Sequence, residues 1–340
     1  TDRGLTPGSS VQYRVQATDS SGNVVNSPWA TVTVASSGTL SNYTNIVLDD
    51  EPLKYWRLGE TGRTVQDWGG VDDTQTGSGA TRGSAGAING DSDQATRFRG
   101  AKSSVTVSRE LILAPDEFSI EGWFKTSSTG VIADFGDRAS GDNSNHDRKV
   151  YIDSSGRLTF GLYPGATSTR TTVQGTSNVR DNQWHHFVAT LDKSGMSLYL
   201  DGRSVGSRSD VDRGQNIFGY WRIGGDNTWS GNKYFNGDID EFAIYPRALT
   251  ATEVDQHWTA SGRTSNLPPK PTDAYGASVF DDNPDFFWRL NETSGSTAAD
   301  ATWNGNNGSY LGEKTLGRAG IMSGSNAVTL LEPVAGGWFG

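Results

Sequence analysis

Residues 43–61 read Tyr-Thr-Asn-Ile-Val-Leu-Asp-Asp-Glu-Pro-Leu-Lys-Tyr-Trp-Arg-Leu-Gly-Glu-Thr, and residues 275–293 read Tyr-Gly-Ala-Ser-Val-Phe-Asp-Asp-Asn-Pro-Asp-Phe-Phe-Trp-Arg-Leu-Asn-Glu-Thr. Tyr43 aligns with Tyr275, Asp49 and Asp50 with Asp281 and Asp282, Trp56 with Trp288 and Glu60 with Glu292, all at one offset (275 − 43 = 232). Solenoid repeats have periods of roughly 20–50 residues, so an offset this long makes each copy a whole domain with its own core. Only the first copy runs a full period before the chain stops at Gly340, and the chain reads as a piece of a longer tandem array.

Eleven Trp, eleven Tyr and thirteen Phe supply large apolar groups for real cores, while 43 Gly and many Ser, Thr and Asn favour short strands joined by turns. The expected fold class is all-β. The net charge is −10 with no run of Lys or Arg, so neither nucleic acid nor an anionic membrane surface is an expected partner. No apolar stretch reaches the ~18 residues that a spanning helix needs. The absence of cysteine excludes disulfides, thiolate metal sites and a Cys nucleophile. Together with the acidic, Gly/Ser/Thr/Asn-rich composition, it fits a secreted or cell-surface bacterial protein.

Residues 1–36 contain an alternating run, Val11, Tyr13, Val15 and Ala17, then a turn at Asp19-Ser-Ser-Gly-Asn, then Ala30-Thr-Val-Thr-Val. With the lead-in Leu5-Thr-Pro-Gly to a corner tyrosine, Tyr13, this resembles the last two strands of an immunoglobulin-like fibronectin type III sandwich, whose first half is expected upstream. Residues 37–42 form a joint, residues 43–262 a complete domain, residues 263–272 a Pro-rich linker around Asn266-Leu-Pro-Pro-Lys-Pro, and residues 273–340 the opening of the second copy. Thr250-Ala-Thr-Glu is a capping box that predicts one short helix through about Ala260, stopped by Gly262.

Five motifs follow in order: Phe118-Ser-Ile-Glu-Gly-Trp-Phe, Trp184-His-His-Phe-Val-Ala-Thr-Leu, Leu198-Tyr-Leu-Asp-Gly, Phe235-Asn-Gly-Asp-Ile-Asp-Glu-Phe-Ala-Ile-Tyr and Arg247-Ala-Leu-Thr-Ala-Thr-Glu-Val. In this order and spacing, residues 43–262 resemble the laminin G-like family of concanavalin A-like jelly rolls. The residues agree on their own terms: 118, 120 and 124 alternate as in a sandwich strand with one face on the core, and Asp201-Gly202 is a hairpin turn. Trp184 reads as a core anchor. His185 and His186 point to opposite faces of a strand and do not readily share one metal ion.

The resemblance implies a structural calcium near the sheet edge, held by an early acidic loop and the Ile-Asp-Glu strand. The positions here are Asp67 and Asp240, with Asp72 and Glu241 as further candidates; the alternative is an Asx turn at Asp67 and a strand-edge charge at Asp240. A second group of oxygen donors, Asp137, Asp142, Asn143 and Asp147, lies in one Gly-rich loop. For carbohydrate, which needs aromatics beside short polar groups, the candidates are Trp229 and Asn227, with Tyr163; the alternative is a loop Trp folded over its own sandwich. The Glu-x-Asp-x-x-Glu hexapeptide of retaining glycosidases on this fold is absent. The expected function is a non-catalytic, lectin-like binding module for a glycan or cell-surface polysaccharide, with structural calcium. Its alternatives are a structural spacer, an accessory domain of a glycoside hydrolase whose catalytic domain lies elsewhere, and a degenerate glycosidase.

Overall fold

The computed structural model describes residues 10–33, 40–282, 284, 286–302, 306–321 and 325–330. Between Lys54 and Tyr245, short strands rich in β-branched and aromatic residues pair into two antiparallel sheets. The nine-stranded sheet runs Thr171–Asn178, Arg157–Leu162, His146–Ile152, Gly130–Gly136, Phe218–Ile223, Thr106–Val107, Thr74–Thr76 and Thr64–Val65, with Ile112–Leu113 also on Phe218–Ile223. The eight-stranded sheet runs Arg203–Arg208, Gly195–Leu200, Trp184–Asp192, Phe118–Thr126, Asn236–Tyr245, Gln94–Arg99 and Thr81–Ala85, with Lys54–Trp56 also on Asn236–Tyr245. Strands distant in sequence are neighbours, as in a jelly roll, and the fold is all-β with two small helices on this domain.

Alternate residues of both sheets fill the space between them. Phe118, Ile120 and Phe124 from one side meet Ile132, Phe135, Phe160 and Trp221 from the other, all buried. The Trp221 ring lies 5.1 Å from Phe135 and 5.5 Å from Phe118, centroid to centroid. The Asp-Gly hairpin forms with left-handed backbone at Asp201 (φ 53°) and Gly202 (φ 81°). A Cβ on Gly202 would lie 2.7 Å from the Trp258 ring, so that turn also requires glycine for space.

The outer face of the eight-stranded sheet carries a second core. Helix Asn42–Asp49 and helix Ala251–Ala260 set Tyr43, Val47, Val254 and Trp258 onto Tyr55, Trp123, Val188, Ala243 and Tyr245. The strand Phe118–Thr126 is therefore buried on both faces, where the alternation predicts one. Alternation shows which residues share a face, but not that a helix from elsewhere will cover the other face. The second helix carries the expected capping box between Thr250 and Glu253. The first is absent from the sequence reading, because eight residues of mixed propensity form a helix only against a surface. Its one local signal is Ser41, whose hydroxyl accepts a bond from the Thr44 amide at 3.2 Å.

Local structure repeats with the sequence. Helix Asn42–Asp49 recurs as Ala274–Asp281 at the offset of 232 (274 − 42), now capped by Asp273. The bridge between Trp56 and Asp67 recurs between Trp288 and Asp300. Near the N-terminus, Ser10–Tyr13 pairs with Ala30–Thr33 and Gln16–Thr18 with Val24–Asn26. The turn between them is held by Asp19, which accepts from the Ser21 and Asn23 amides. The Leu5-Thr-Pro-Gly lead-in lies outside the described residues. No helix among the described residues is long and apolar enough to cross a membrane.

Candidate cation pocket and binding face

A β-bulge decides where the Ile-Asp-Glu motif points. Across from Asn236–Tyr245, Trp123 pairs with Asp240 and Glu121 with Ala243, so Glu241 and Phe242 together oppose Gly122. Glu241 takes the extra residue's place with φ 50°. Neighbours on a regular strand face opposite ways, but a bulge re-aims one of them. Here Asp240 and Glu241 meet in one pocket. The strand Gln94–Arg99 pairs with the same strand, Thr96 against Ile239, and its approach brings Asp93 alongside them. Oxygens of Asp93, Asp240 and Glu241 all lie within 4.8 Å of one another.

The charges in this pocket do not balance. Glu241 is gripped by Arg57, through Nε at 3.0 Å and Nη2 at 2.8 Å, and by the Tyr55 hydroxyl. Arg57 also reaches Asp91 at 2.7 Å and Asp93 at 3.2 Å. Three carboxylates thus share one guanidinium, with Asp240 as a fourth acidic group beside them. The Asp240 Oδ2 accepts from the Ala87 amide at 2.7 Å, whereas its Oδ1 and the Asp93 Oδ2 are buried without a hydrogen bond. Burial, and then the neighbouring Glu241 charge, push the Asp240 carboxyl well above its ordinary range. Burial pushes Glu241 up to about 7 despite Arg57. Crowded buried carboxylates, with an orphaned oxygen on Asp240, have the chemistry that suits a hard cation. Gly86 and Gly59 leave the space, since a Cβ on Gly86 would stand 3.1 Å from Asp240 Oδ2 and one on Gly59 2.1 Å from Asp93 Oδ1.

Asp67 and Asp72 are placed elsewhere. The Asp67 Oδ1 accepts from the amides of Tyr55, Gly69 and Gly70, and Oδ2 from that of Asp72, so this carboxylate closes its own loop. Asp300 does the same for Phe287, Thr302 and Asn306. Asp72 binds the Arg109 amide at 3.0 Å and Lys54 at 2.8 Å. Of the sequence candidates, Asp240 and Glu241 come together and Asp67 and Asp72 do not join them. Asp93 is missing from the sequence reading. Its signal there is only the Asp-Ser-Asp that precedes a strand, and such a turn is ordinary.

The donors of the 137–147 loop diverge. Asp137 accepts from Ser144 and Asn145, Asp142 meets the Tyr234 hydroxyl at 2.6 Å, and buried Asp147 accepts from the Tyr163 and Gln215 amides. His185 pairs with Asp201 at 2.8 Å, while His186 turns to the other side and meets Glu121 at 2.7 Å. Trp184 is partly buried against the second core.

The aromatic candidates converge on the outer face of the nine-stranded sheet. Trp229, in the loop after Phe218–Ile223, lies over Gly161, where a Cβ would come within 2.8 Å of its ring. Tyr163 packs edge-on against it at 5.1 Å and Tyr151 at 6.2 Å, and the His146 ring lies tilted to it at 5.6 Å. Asn227 is tied to the same place by donating to the Asn143 carbonyl at 2.6 Å. Trp229, Tyr163, His146 and Asn227 are all half-buried, and the Trp229 Nε1 and His146 Nδ1 have no partner. Burial, then Lys149, hold His146 down at about 4, so at neutral pH its ring is uncharged.

Two packed antiparallel sheets, a helix-covered rear face and an acidic pocket beside the last strand define a concanavalin A-like jelly roll. Residues 99–255 match the model of the concanavalin A-like lectin/glucanases superfamily. A comparison with curated proteins gives no match. Among solved structures, the chain is similar to the binding domain of Paraclostridial Mosquitocidal Protein 1, with 16% identity and a TM-score of 0.48, over 65% of this chain and 55% of that one. It is also similar to the Botulinum Neurotoxin Type G receptor binding domain, with 17% identity and a TM-score of 0.45, over 62% of this chain and 51% of that one. The chain thus spans about half of each of these two domains. A third similarity is to domain 4 of AbnA, a GH43 extracellular arabinanase from Geobacillus stearothermophilus, solved with arabinotriose: 18% identity, TM-score 0.43, over 61% of this chain and 98% of that domain.

Proposed function

We propose that the chain is a lectin-like binding module of a secreted or surface bacterial protein, performing no chemistry itself. In this reading it takes a glycan on the Trp229 face and a structural calcium at Asp93, Asp240 and Glu241. The observation that carries the binding reading is the cluster of half-buried rings around Trp229. It presents an aromatic surface, beneath which two buried ring nitrogens, Trp229 Nε1 and His146 Nδ1, are left unpaired. Half-buried aromatic rings beside a short polar side chain, here Asn227, suit a sugar, which has an apolar face and a rim of hydroxyls.

The grouped carboxylates support a cation rather than catalysis. Asp240 is 1% exposed and Glu241 fully buried, so a polysaccharide has no access to them. Calcium there would supply positive charge to oxygens that now face one another. Binding of soluble glycans to the full chain, measured by array and then calorimetry, tests the first part. Binding lost in Trp229→Ala but kept in a surface control supports it, and a chain that binds no glycan leaves the spacer. Calorimetry with calcium chloride on chelator-treated protein tests the second, since absence of heat would remove the cation.

A further inference from the structure

Beneath Trp229 lies an arrangement that binding does not use. Lys149, on His146–Ile152, and Asp134, on Gly130–Gly136, stand on adjacent strands with Nζ and Oδ2 at 3.4 Å, both fully buried. Neither group is fully satisfied: Nζ makes no hydrogen bond, nor does Asp134 Oδ1, and Asp134 Oδ2 accepts only a long bond from Asn143 Nδ2 at 3.3 Å. A buried ion pair offsets its desolvation only when further hydrogen bonds complete both partners, and this one lacks them. A second fully buried carboxylate, Asp226, is close enough to act electrostatically on both groups. It is carried there by the turn at Gly224 and Gly225 (φ 88° and 135°) and held by the Asn143 amide at 3.0 Å. The Trp229 ring caps Nζ at 5.8 Å and keeps solvent off.

We propose that Lys149 and Asp134 are a self-modification site, joined in the mature protein by an isopeptide bond that forms without any cofactor. The neutral Lys149 amine attacks Asp134 Cγ, forming the C–N bond. The C–O bond to the carboxyl hydroxyl breaks, and Asp226 takes the proton from Nζ and delivers it to the departing hydroxyl, which leaves as water. One amine and one carboxylic acid become one amide and one water. Burial favours the forms the reaction requires: it lowers the lysine toward the free amine and raises Asp134 to about 6 toward the acid. The product replaces two incompletely satisfied buried ionic groups with one neutral amide and ties two strands covalently in a chain that has no cysteine.

The test is the intact mass of the purified full chain, followed by a peptide map. The expected wild-type mass is one water below the sequence mass, with trypsin failing to cut after Lys149 and the peptides carrying residues 134 and 149 recovered as one species. Lys149→Arg, which keeps the charge but has no nucleophilic amine, is expected at its full sequence mass. Asp226→Asn is expected to leave a large unreacted fraction. A wild-type chain at full sequence mass overturns the proposal whether or not the variants fold. So does a water loss that maps elsewhere, such as a succinimide at Asp201-Gly202.

Discussion

His257 Nδ1 lies 2.9 Å from Glu121 Oε1, with both side chains fully buried, and this pair pins the second helix to the middle of the eight-stranded sheet. The Nε2 of the same ring reaches Asp50, at the end of the first helix, at 2.8 Å. Glu121 also receives His186 at 2.7 Å, Tyr43 at 2.9 Å and Tyr245 at 2.6 Å. One carboxylate thus ties together two helices and two strands.

This clamp makes stability pH-dependent. Burial pushes His257 down, but Glu121 and Asp50 outweigh it and raise the ring from 6.5 to about 9. Its stabilisation is complete below 6.5, where the unfolded ring is also charged, and is lost as pH rises through 9. Burial pushes Glu121 up, but His257 and His186 hold it well below its ordinary 4.5, so its stabilisation is present above 4.5 and fades as pH falls further. The melting temperature is expected to decline between pH 6.5 and 9 in the wild type. His257→Gln should flatten that decline and cost about 3–5 kcal/mol near pH 6, by removing a buried charge partner that Glu121 shares with Asp50. Thermal melts across this range check both.

Calcium is expected to raise the melting temperature of chelator-treated chain. At a free concentration a hundredfold above the dissociation constant, the gain is about 2.7 kcal/mol. Asp240→Asn and Asp93→Asn should each remove most of the gain, whereas Asp67→Asn should lower stability with and without calcium alike. Differential scanning calorimetry separates the two patterns, and an equal calcium gain in Asp240→Asn would count against the pocket.

Trp229→Ala should weaken glycan binding by about 1–3 kcal/mol, by analogy with planar groups stacked on aromatic side chains. Its effect on melting should be smaller than that of Trp123→Ala, which removes a fully buried ring and should cost about 3–5 kcal/mol. Isothermal titration and melts on the same samples divide display from packing.

Gly161→Ala offers a test that leaves the ring itself in place. The added Cβ would stand 2.8 Å from the Trp229 ring and 2.9 Å from Thr172, so the loop must lift. The expected result is altered glycan affinity and altered Trp fluorescence without loss of the β-type circular dichroism. An unchanged affinity would separate the Trp229 position from binding.

The sequence by itself determined what depends on neighbours along the chain. Alternation marked the strands, Asp201-Gly202 marked its hairpin, Thr250 and Glu253 marked the capped helix, and the 232-residue offset marked a second copy of the opening segment, without showing that it is helical. It also singled out Asp240 and Glu241, through the Ile-Asp-Glu motif. The tertiary structure alone decided which distant groups meet. Asp93 joins Asp240 because two strands pair, and Glu241 joins them because a single bulge turns it inward. Asp67 closes its own loop, although its type suits a metal equally well. Glu121 looks like the polar member of an alternating strand, yet it is fully buried by residues 65 and 136 positions away. Lys149 and Asp134 carry no local signal at all. Periodicity is a property of one segment, whereas register, bulges and the covering of a sheet face arise only when segments pack. The candidate sites in this protein lie where segments meet.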